Sequence, residues 1–84
     1  MISDMQHKIL KLVSSRSVTH INFVALQIFS SPTQSWPASL ELAEEQVEML
    51  KRAELLQESK YGIEGPWYEI TEAGREAVRQ EVAT

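Results

Sequence analysis

The sequence predicts a mostly helical α+β domain with three helices, a β-hairpin and a C-terminal helix. Three observations lead to this fold class. Apolar residues recur at helical spacing in three segments before residue 54. A glycine-containing loop then separates two short strand-like runs, and a threonine opens a final helical run. With 84 residues, the chain has the length of one domain spanning 1–84.

Composition restricts the classes of function. The chain is 43% hydrophobic and 24% charged, values typical of a folded globular protein. It contains no cysteine, which excludes disulfides and thiolate chemistry. The net charge of −4 opposes nonspecific binding to phosphate backbones. The N-terminus lacks a basic signal region and no apolar run approaches the ~20 residues of a membrane span, so we expect a cytoplasmic protein without membrane contact.

The first helix is predicted over residues 4–14. Ser3 and Gln6 have the spacing of a capping box, in which each side chain bonds the backbone N–H of the other residue. The apolar positions of this helix are Met5, Ile9, Leu12 and Val13. The chain's only basic concentration lies on its other side and just beyond it, at His7, Lys8, Lys11 and Arg16.

The second helix is predicted to follow from Thr19 to Phe29. This segment is apolar nearly all round, as expected for a helix buried on most sides, and its β-branched residues make a strand the weaker alternative. Whether Ile21, Val24 and Ile28 all belong to the core or partly to a dimer seam stays open.

The third helix is predicted after a loop from Ser30 to Pro37, where two prolines interrupt helical structure. Its apolar positions are Leu40, Ala43, Val47 and Leu50, widened by Met49 and Ala53. The opposite face carries four glutamates, Glu41, Glu44, Glu45 and Glu48. Lys51 and Arg52 end the helix, where cations favour the helix dipole.

A hairpin and a last helix complete the chain. Strands are predicted around 55–60 and 67–70, joined by a loop containing two glycines. Thr71 is a natural N-cap for the last helix. The positions of that helix expected to turn inward are Ala73, Ala77, Val78 and Val82.

Two motifs resemble the winged helix-turn-helix domain of MarR- and PadR-like transcription regulators. Residues 50–56, LKRAELL, are similar to the end of the recognition helix in these families. Residues 68–75, YEITEAGR, are similar to their wing strand entering the next helix, with Ile70 buried, Thr71 capping and Gly74 allowing close backbone approach. The resemblance implies a hairpin wing and a third helix that enters the DNA major groove.

The third helix differs in charge from the recognition helix of a DNA-binding domain. Four glutamates on one face would meet a polyanion at short range, and Gln46 is the only ordinary base reader nearby. Near the wing tip Lys60 is flanked by Glu58 and Glu64. Glu54 stands where the families often have glycine, which predicts a different turn out of the helix.

Enzymatic and metal chemistry find no support in the sequence. His7 and His20 are the only histidines, and their spacing fits no zinc motif. A phosphate-binding glycine loop, a nucleophile elbow and a recognisable catalytic set are all missing from the sequence. We therefore expect a non-enzyme without a cofactor.

The leading hypothesis is a binding module that contacts a protein partner through Glu41, Glu44, Glu45 and Glu48, with Trp36 and Trp67 beside them. One version is an inhibitor of the sort phages and mobile elements encode, whose glutamates imitate DNA phosphates. The competing interpretation is that these acids only solvate a helix face, that Trp36 fills the core, and that Trp67 and Tyr68 alternate across the hairpin.

Two other functions stay open. A dimeric DNA-binding regulator would use residues spread over the chain, Gln46, Lys60, Lys8, Lys11 and Arg16. A homodimer is compatible with either function. A scaffold piece of a larger assembly is the remaining alternative.

Overall fold

The computed structural model describes residues 2–60 and 65–83. Within them the chain forms four helices and a three-stranded antiparallel sheet, which confirms the mostly helical α+β class. The elements in chain order are α1 (Asp4–Ser14), β1 (Thr19–His20), α2 (Ile21–Val24, continued by a π-helical segment Ala25–Phe29), α3 (Trp36–Arg52), β2 (Leu56–Glu58), β3 (Trp67–Ile70) and α4 (Glu72–Ala83).

Helix α1 has the predicted bounds, and its capping box is present. The Ser3 hydroxyl oxygen accepts a hydrogen bond from the Gln6 N–H at 3.1 Å, and the Gln6 side-chain oxygen accepts one from the Ser3 N–H at 3.2 Å. Ile9, Leu10 and Val13 are fully buried. The first turn of α1 is thus fixed by interactions three residues apart, which the sequence alone shows.

The predicted start of the second helix is wrong. Thr19 and His20 form a short strand, and α2 begins at Ile21 with the His20 Nδ1 accepting the Asn22 N–H at 3.0 Å. Thr19 pairs with Tyr68, a partner 49 positions along the chain. Such a long-range backbone pairing leaves no mark in the local pattern, so helical spacing extended the predicted helix too far.

The second helix is also less buried than predicted. Ile21 and Val24 are buried in the core, and Ile28 is partly buried against the same cluster. Leu26, however, is 53% exposed, and Gln27 is exposed beside it. The core covers one side of this helix only.

Strand β3 lies at the centre of the sheet, whose order is β1-β3-β2. Leu56 pairs with Ile70, and Glu58 with Tyr68. Tyr68 and Ile70 face the core and Trp67 is half-buried, so the predicted alternation is confirmed. The prediction of a hairpin is confirmed for its two strands, but Tyr61 and Glu64 in the connecting loop lie outside the described residues.

The core is formed by α1, α2, α3 and the inner side of the sheet. Its buried apolar residues are Ile9, Leu10, Val13, Ile21, Val24, Ala25, Ala43, Val47, Leu50, Leu56, Tyr68 and Ile70. On α4, Ala77 and Val78 pack against this cluster as predicted, whereas Ala73 is exposed and the neighbouring Gly74 is buried. The Val82 side chain is outside the described part. In the described ranges every helix is too short or too polar to span a bilayer.

Candidate protein-binding face

Helix α3 carries the candidate site, and it begins earlier than predicted. The Ser35 hydroxyl accepts a hydrogen bond from the Ala38 N–H at 3.3 Å, so the helix starts at Trp36 with Pro37 in its first turn. Proline fits there because a first-turn N–H has no intrahelical partner to lose. The predicted loop from Ser30 to Pro37 therefore ends at Ser35.

The buried side of α3 fixes which way the glutamates point. Ser39, Ala43, Val47 and Leu50 form the buried row, spaced three or four residues apart. Leu40 is half-buried, while Met49 and Ala53, predicted to widen the apolar face, are exposed. The predicted widening is wrong because Ser39, rather than either of them, completes the buried row.

The buried hydroxyl of Ser39 forms two hydrogen bonds. Its hydroxyl donates to the Phe29 carbonyl oxygen at 3.0 Å and accepts from the Gln34 side-chain amide at 3.0 Å. The same amide of Gln34 donates to the Phe29 carbonyl at 2.7 Å. This triangle satisfies the buried hydroxyl and ties the start of α3 to the end of the π-helical segment.

The acidic face, Glu41, Glu44, Glu45 and Glu48, is exposed along α3. Its four members differ in their ionic surroundings. Glu48 lies 3.6 Å from Lys51 and 3.7 Å from Arg52. Glu41, Glu44 and Glu45 form no ion pair with any described residue. Cations therefore neutralise the acidic face at Glu48, its C-terminal end, and leave Glu41, Glu44 and Glu45 unpaired.

Lys51 lies at the C-terminal end of the acidic face and connects α3 to the sheet. Its ammonium group contacts Glu58 on β2 at 3.3 Å as well as Glu48. The hydrogen bond to Glu58 raises the pKa of Lys51 above its ordinary value, against a smaller opposing effect of desolvation. Burial likewise raises the pKa of the neighbouring Tyr68. Both side chains keep their usual charge at neutral pH.

The charge of the whole chain is concentrated around this helix. Between residues 41 and 58 there are six glutamates and two cations, a balance of −4. The rest of the chain holds six acidic and six basic residues, a balance of zero. The net charge of −4 is thus carried by α3 and the first strand after it, which makes the molecule electrostatically one-sided.

The exit from α3 corrects another prediction. Glu54 adopts a left-handed conformation with φ 63°, the conformation that glycine usually supplies. The Leu55 N–H donates to the Leu50 carbonyl at 2.9 Å, and the Glu54 N–H donates to the Lys51 carbonyl at 2.9 Å. These two bonds form the Schellman motif. The helix leaves by the ordinary turn despite the glutamate, because the two backbone bonds hold that conformation.

The two tryptophans lie in different surroundings. Trp36 is the first residue of α3 and is 44% exposed, so it does not fill the core. Trp67 is half-buried in β3, with its ring edge-to-face against His20 at a centroid distance of 5.0 Å. Only Trp36 shares an element with the acidic face. Trp67 belongs to the β1–β3 side of the sheet.

The residues of the DNA-binding alternative are spread over α1, α3 and the segments that follow α1 and β2. Lys8 and Lys11 are exposed on α1, and Lys60 is exposed after β2. Arg16 stacks its guanidinium 4.3 Å from the centre of the Phe23 ring, a cation–π contact. Gln46 is half-buried and accepts a hydrogen bond from the Gln6 side-chain amide at 3.3 Å. Its amide joins α1 to α3 rather than extending freely into solvent.

A set of exposed apolar side chains was missed by the sequence analysis. Met49 is 46% exposed and Leu42 39% exposed, one turn on either side of Gln46. Met5, next to Gln6 on α1, is 36% exposed. The seven-residue spacing of Leu42 and Met49, off the axis of the buried row, is the signal that could have identified them.

The described residues hold little that resembles a small-molecule or metal site. A shallow, open depression of about 310 Å³ is lined by Lys51, Glu54, Leu56, Gln57, Glu58 and Thr71. Lys51 and Glu58 are already paired with each other in it. Across residues 2–60 and 65–83, no group of three or more histidines and acids is placed to hold a metal ion.

Comparison with known proteins gives no relative for this chain. No protein-family model matches it, and neither a curated protein nor a solved structure matches it significantly.

Proposed function

We propose that this chain is a non-catalytic winged-helix module that binds a basic groove of a protein partner through its acidic face. The element order and the sheet order β1-β3-β2 support a winged-helix fold, with α3 in the position of the helix that usually enters the DNA major groove. In this molecule that helix presents carboxylates. The partner is a protein whose own groove accepts nucleic-acid phosphates.

The observation that carries the proposal is the spacing of the outward carboxylates. An α-helix rises about 1.5 Å per residue, so Glu41 and Glu48 are about 10 Å apart along the axis of α3. Glu48 is neutralised by Lys51 and Arg52, and the three unpaired carboxylates from Glu41 to Glu45 span about 6 Å, one negative charge per about 3 Å. One strand of B-DNA carries one phosphate per about 3.4 Å of axis. The charge density of the acidic face is therefore close to that of a single DNA strand.

The ion pairs of the acidic face support the same proposal. Glu41, Glu44 and Glu45 have no ionic partner in the described part of the chain, so arginines and lysines of a partner need not displace an existing salt bridge. Trp36, exposed at the start of the same helix, adds an aromatic side chain of the kind enriched in binding hot spots. Binding through these groups blocks the partner's access to DNA.

Capture of partners from the native host tests the proposal. The immobilised chain is exposed to host lysate, and bound proteins are eluted with duplex DNA. We expect DNA to release them, because both ligands occupy the same groove. The double substitution Glu41→Gln and Glu44→Gln is expected to remove capture while leaving the circular dichroism spectrum unchanged, because both side chains are exposed and unpaired.

The matched control is Glu72→Gln with Glu76→Gln on α4, which changes net charge by the same amount away from the acidic face. It is expected to retain capture. Loss of capture in the control to the same extent would mean that total charge, not the acidic face, governs binding. Capture that duplex DNA does not compete would contradict phosphate imitation.

The DNA-binding regulator is the second candidate, favoured by the exposure of Lys8, Lys11 and Lys60. A mobility shift with host genomic fragments separates the two functions. Binding that survives competitor DNA at physiological salt would favour the regulator and reject phosphate imitation. We expect no shift at low salt, where electrostatic attraction to DNA is strongest.

A further inference from the structure

Three exposed apolar side chains of α1 and α3 lie within one turn of the residues that join the two helices, Gln6 and Gln46. We define the crossing patch as Met5, Leu42 and Met49, each more than one third exposed. Leu42 and Met49 lie one turn before and after Gln46, and Met5 precedes Gln6. The hydrogen bond between Gln6 and Gln46 at 3.3 Å places these two helices side by side at this point.

The two edges of the crossing patch carry opposite charge. On α1, Lys8 is exposed one turn after Met5. On α3, Glu45 is exposed one turn after Leu42 and one turn before Met49. Neither Lys8 nor Glu45 forms an ion pair with a described residue of its own chain. The patch thus has an apolar centre, a basic edge on one helix and an acidic edge on the other.

We propose that a second copy of this chain covers the crossing patch in a two-fold symmetric dimer. A two-fold axis through the Gln6–Gln46 crossing lays α1 of each copy across α3 of the other. Met5 of one copy then packs against Leu42 and Met49 of its partner, and each Lys8 faces a Glu45. In such an isologous interface every contact occurs twice, so a surface with both charges at its edges is complementary to itself.

Charge complementarity favours a second copy over an unrelated partner. A purely acidic rim would select a basic ligand, whereas the crossing patch has one unpaired charge of each sign, Lys8 one turn from Met5 and Glu45 one turn from Leu42. The patch is small, so the dimer falls in the class of weak interfaces burying less than ~1,200 Å². Around the circumference of α3, Glu41, Glu44 and Glu48 lie beyond Glu45 as seen from Leu42, so they stay outside the interface. The dimer therefore exposes two copies of Glu41, Glu44 and Glu48.

Sedimentation velocity of the purified chain tests the dimer without any partner protein, so the result is independent of the proposed function. Between about 10 µM and about 1 mM, we expect the mass to rise from 9.6 kDa toward twice that value. Leu42→Gln with Met49→Gln is expected to weaken association at least tenfold. Leu26→Gln, at the most exposed apolar side chain away from the crossing, is the control and is expected to leave association unchanged.

A charge exchange tests the predicted pairing of edges. Lys8→Glu and Glu45→Lys are each expected to weaken association several-fold, because each places like charges opposite one another. The combination of both substitutions restores opposite charges at both pairs and is expected to recover wild-type association. A monomer at about 1 mM would overturn the proposal. So would a dimer that Leu42→Gln with Met49→Gln leaves intact, or a double exchange that is only additive.

Discussion

The two ends of β3 differ in how completely their polar groups are hydrogen-bonded. At its C-terminal end, the Thr71 hydroxyl donates to the Glu54 carbonyl at 2.7 Å and accepts from the Gly74 N–H at 3.0 Å. The Thr71 N–H also donates to the Leu55 carbonyl at 3.1 Å. One residue therefore joins the exit of α3, the end of β3 and the start of α4.

Gly74 lies at the same junction, where there is no space for a side chain. A Cβ at this position would collide with the Leu55 carbonyl oxygen and lie 2.6 Å from the Ile70 Cγ1. The predicted roles of Ile70, Thr71 and Gly74 are thus all confirmed. The backbone of α4 can approach Leu55, just before β2, only because position 74 has no side chain.

The N-terminal end of β3 leaves polar atoms unpaired. The Thr19 hydroxyl, on the strand next to Tyr68, is buried without a hydrogen-bond partner in the described structure. The Trp67 indole N–H is also buried and unpartnered there. Burying an unsatisfied donor or acceptor costs about 1–3 kcal/mol. Hydrogen bonds therefore satisfy the polar groups of Thr71, whereas two buried polar groups at the Thr19 end have no partner among the described residues.

The largest effect is expected at the well-bonded end, from Gly74→Ala. The new Cβ forces the Leu55 backbone to move, and overpacking of this kind costs about 1–3 kcal/mol. Alanine's better helix propensity returns about 1 kcal/mol. Because the Leu55 carbonyl is held by the Thr71 N–H, we take the upper end of this range; about 3 kcal/mol less the ~1 kcal/mol returned by alanine leaves a fall of about 2 kcal/mol in the free energy of unfolding, measured by denaturant titration. Arg75→Ala, exposed one residue later, is the control and should have little effect; equal effects would contradict the close packing of Gly74.

Thr71→Val is expected to have the next largest effect. Valine keeps the shape but removes both hydroxyl bonds, leaving the Glu54 carbonyl and the Gly74 N–H without their partner. Loss of an N-cap costs about 0.5–2 kcal/mol, and we expect about 1.5. Thr71→Ser retains the hydroxyl and should recover most of the stability. A serine variant as unstable as the valine variant would assign the effect to the methyl group instead.

At the other end of β3, Thr19→Val is expected to stabilise the protein. The valine methyl replaces a hydroxyl that has no partner in the described residues and is only 1% exposed. Removing that penalty should raise the free energy of unfolding by about 1 kcal/mol. Thr19→Ser keeps the hydroxyl but loses a methyl, so it should destabilise. A destabilising valine would show that the Thr19 hydroxyl is satisfied, for example by a buried water.

The smallest effect is expected from Glu54→Gly. Glycine adopts the left-handed conformation without the steric penalty of a side chain, although its unfolded state is more flexible. We expect a net gain of about 0.5 kcal/mol in unfolding free energy. Glu54→Ala removes the charge but keeps the Cβ, so it should give no gain. A gain from alanine equal to that from glycine would attribute the effect to charge rather than to backbone conformation.

Part of the candidate site could be predicted from the sequence. The outward direction of Glu41, Glu44, Glu45 and Glu48 follows from helical periodicity, and exposure of all four agrees with it. Their ionic surroundings could not be predicted, because the pairing of Lys51 with Glu58 depends on where β2 returns beside α3. The exposure of Met5, Leu42 and Met49 depends in the same way on how far α1 covers α3.

By itself, the sequence determined the features that interactions within four residues control. These are the capping box of α1, the Thr71 cap and the outward row of glutamates. Tertiary structure decided the strand at Thr19, the burial of Ser39 and the exposure of Leu26. Each of these depends on a distant segment folding back onto the residue. Local hydrogen bonds and side-chain periodicity depend on residues close in sequence, so the sequence shows them directly. Burial and strand pairing depend on residues far apart in sequence, which meet only in the folded chain.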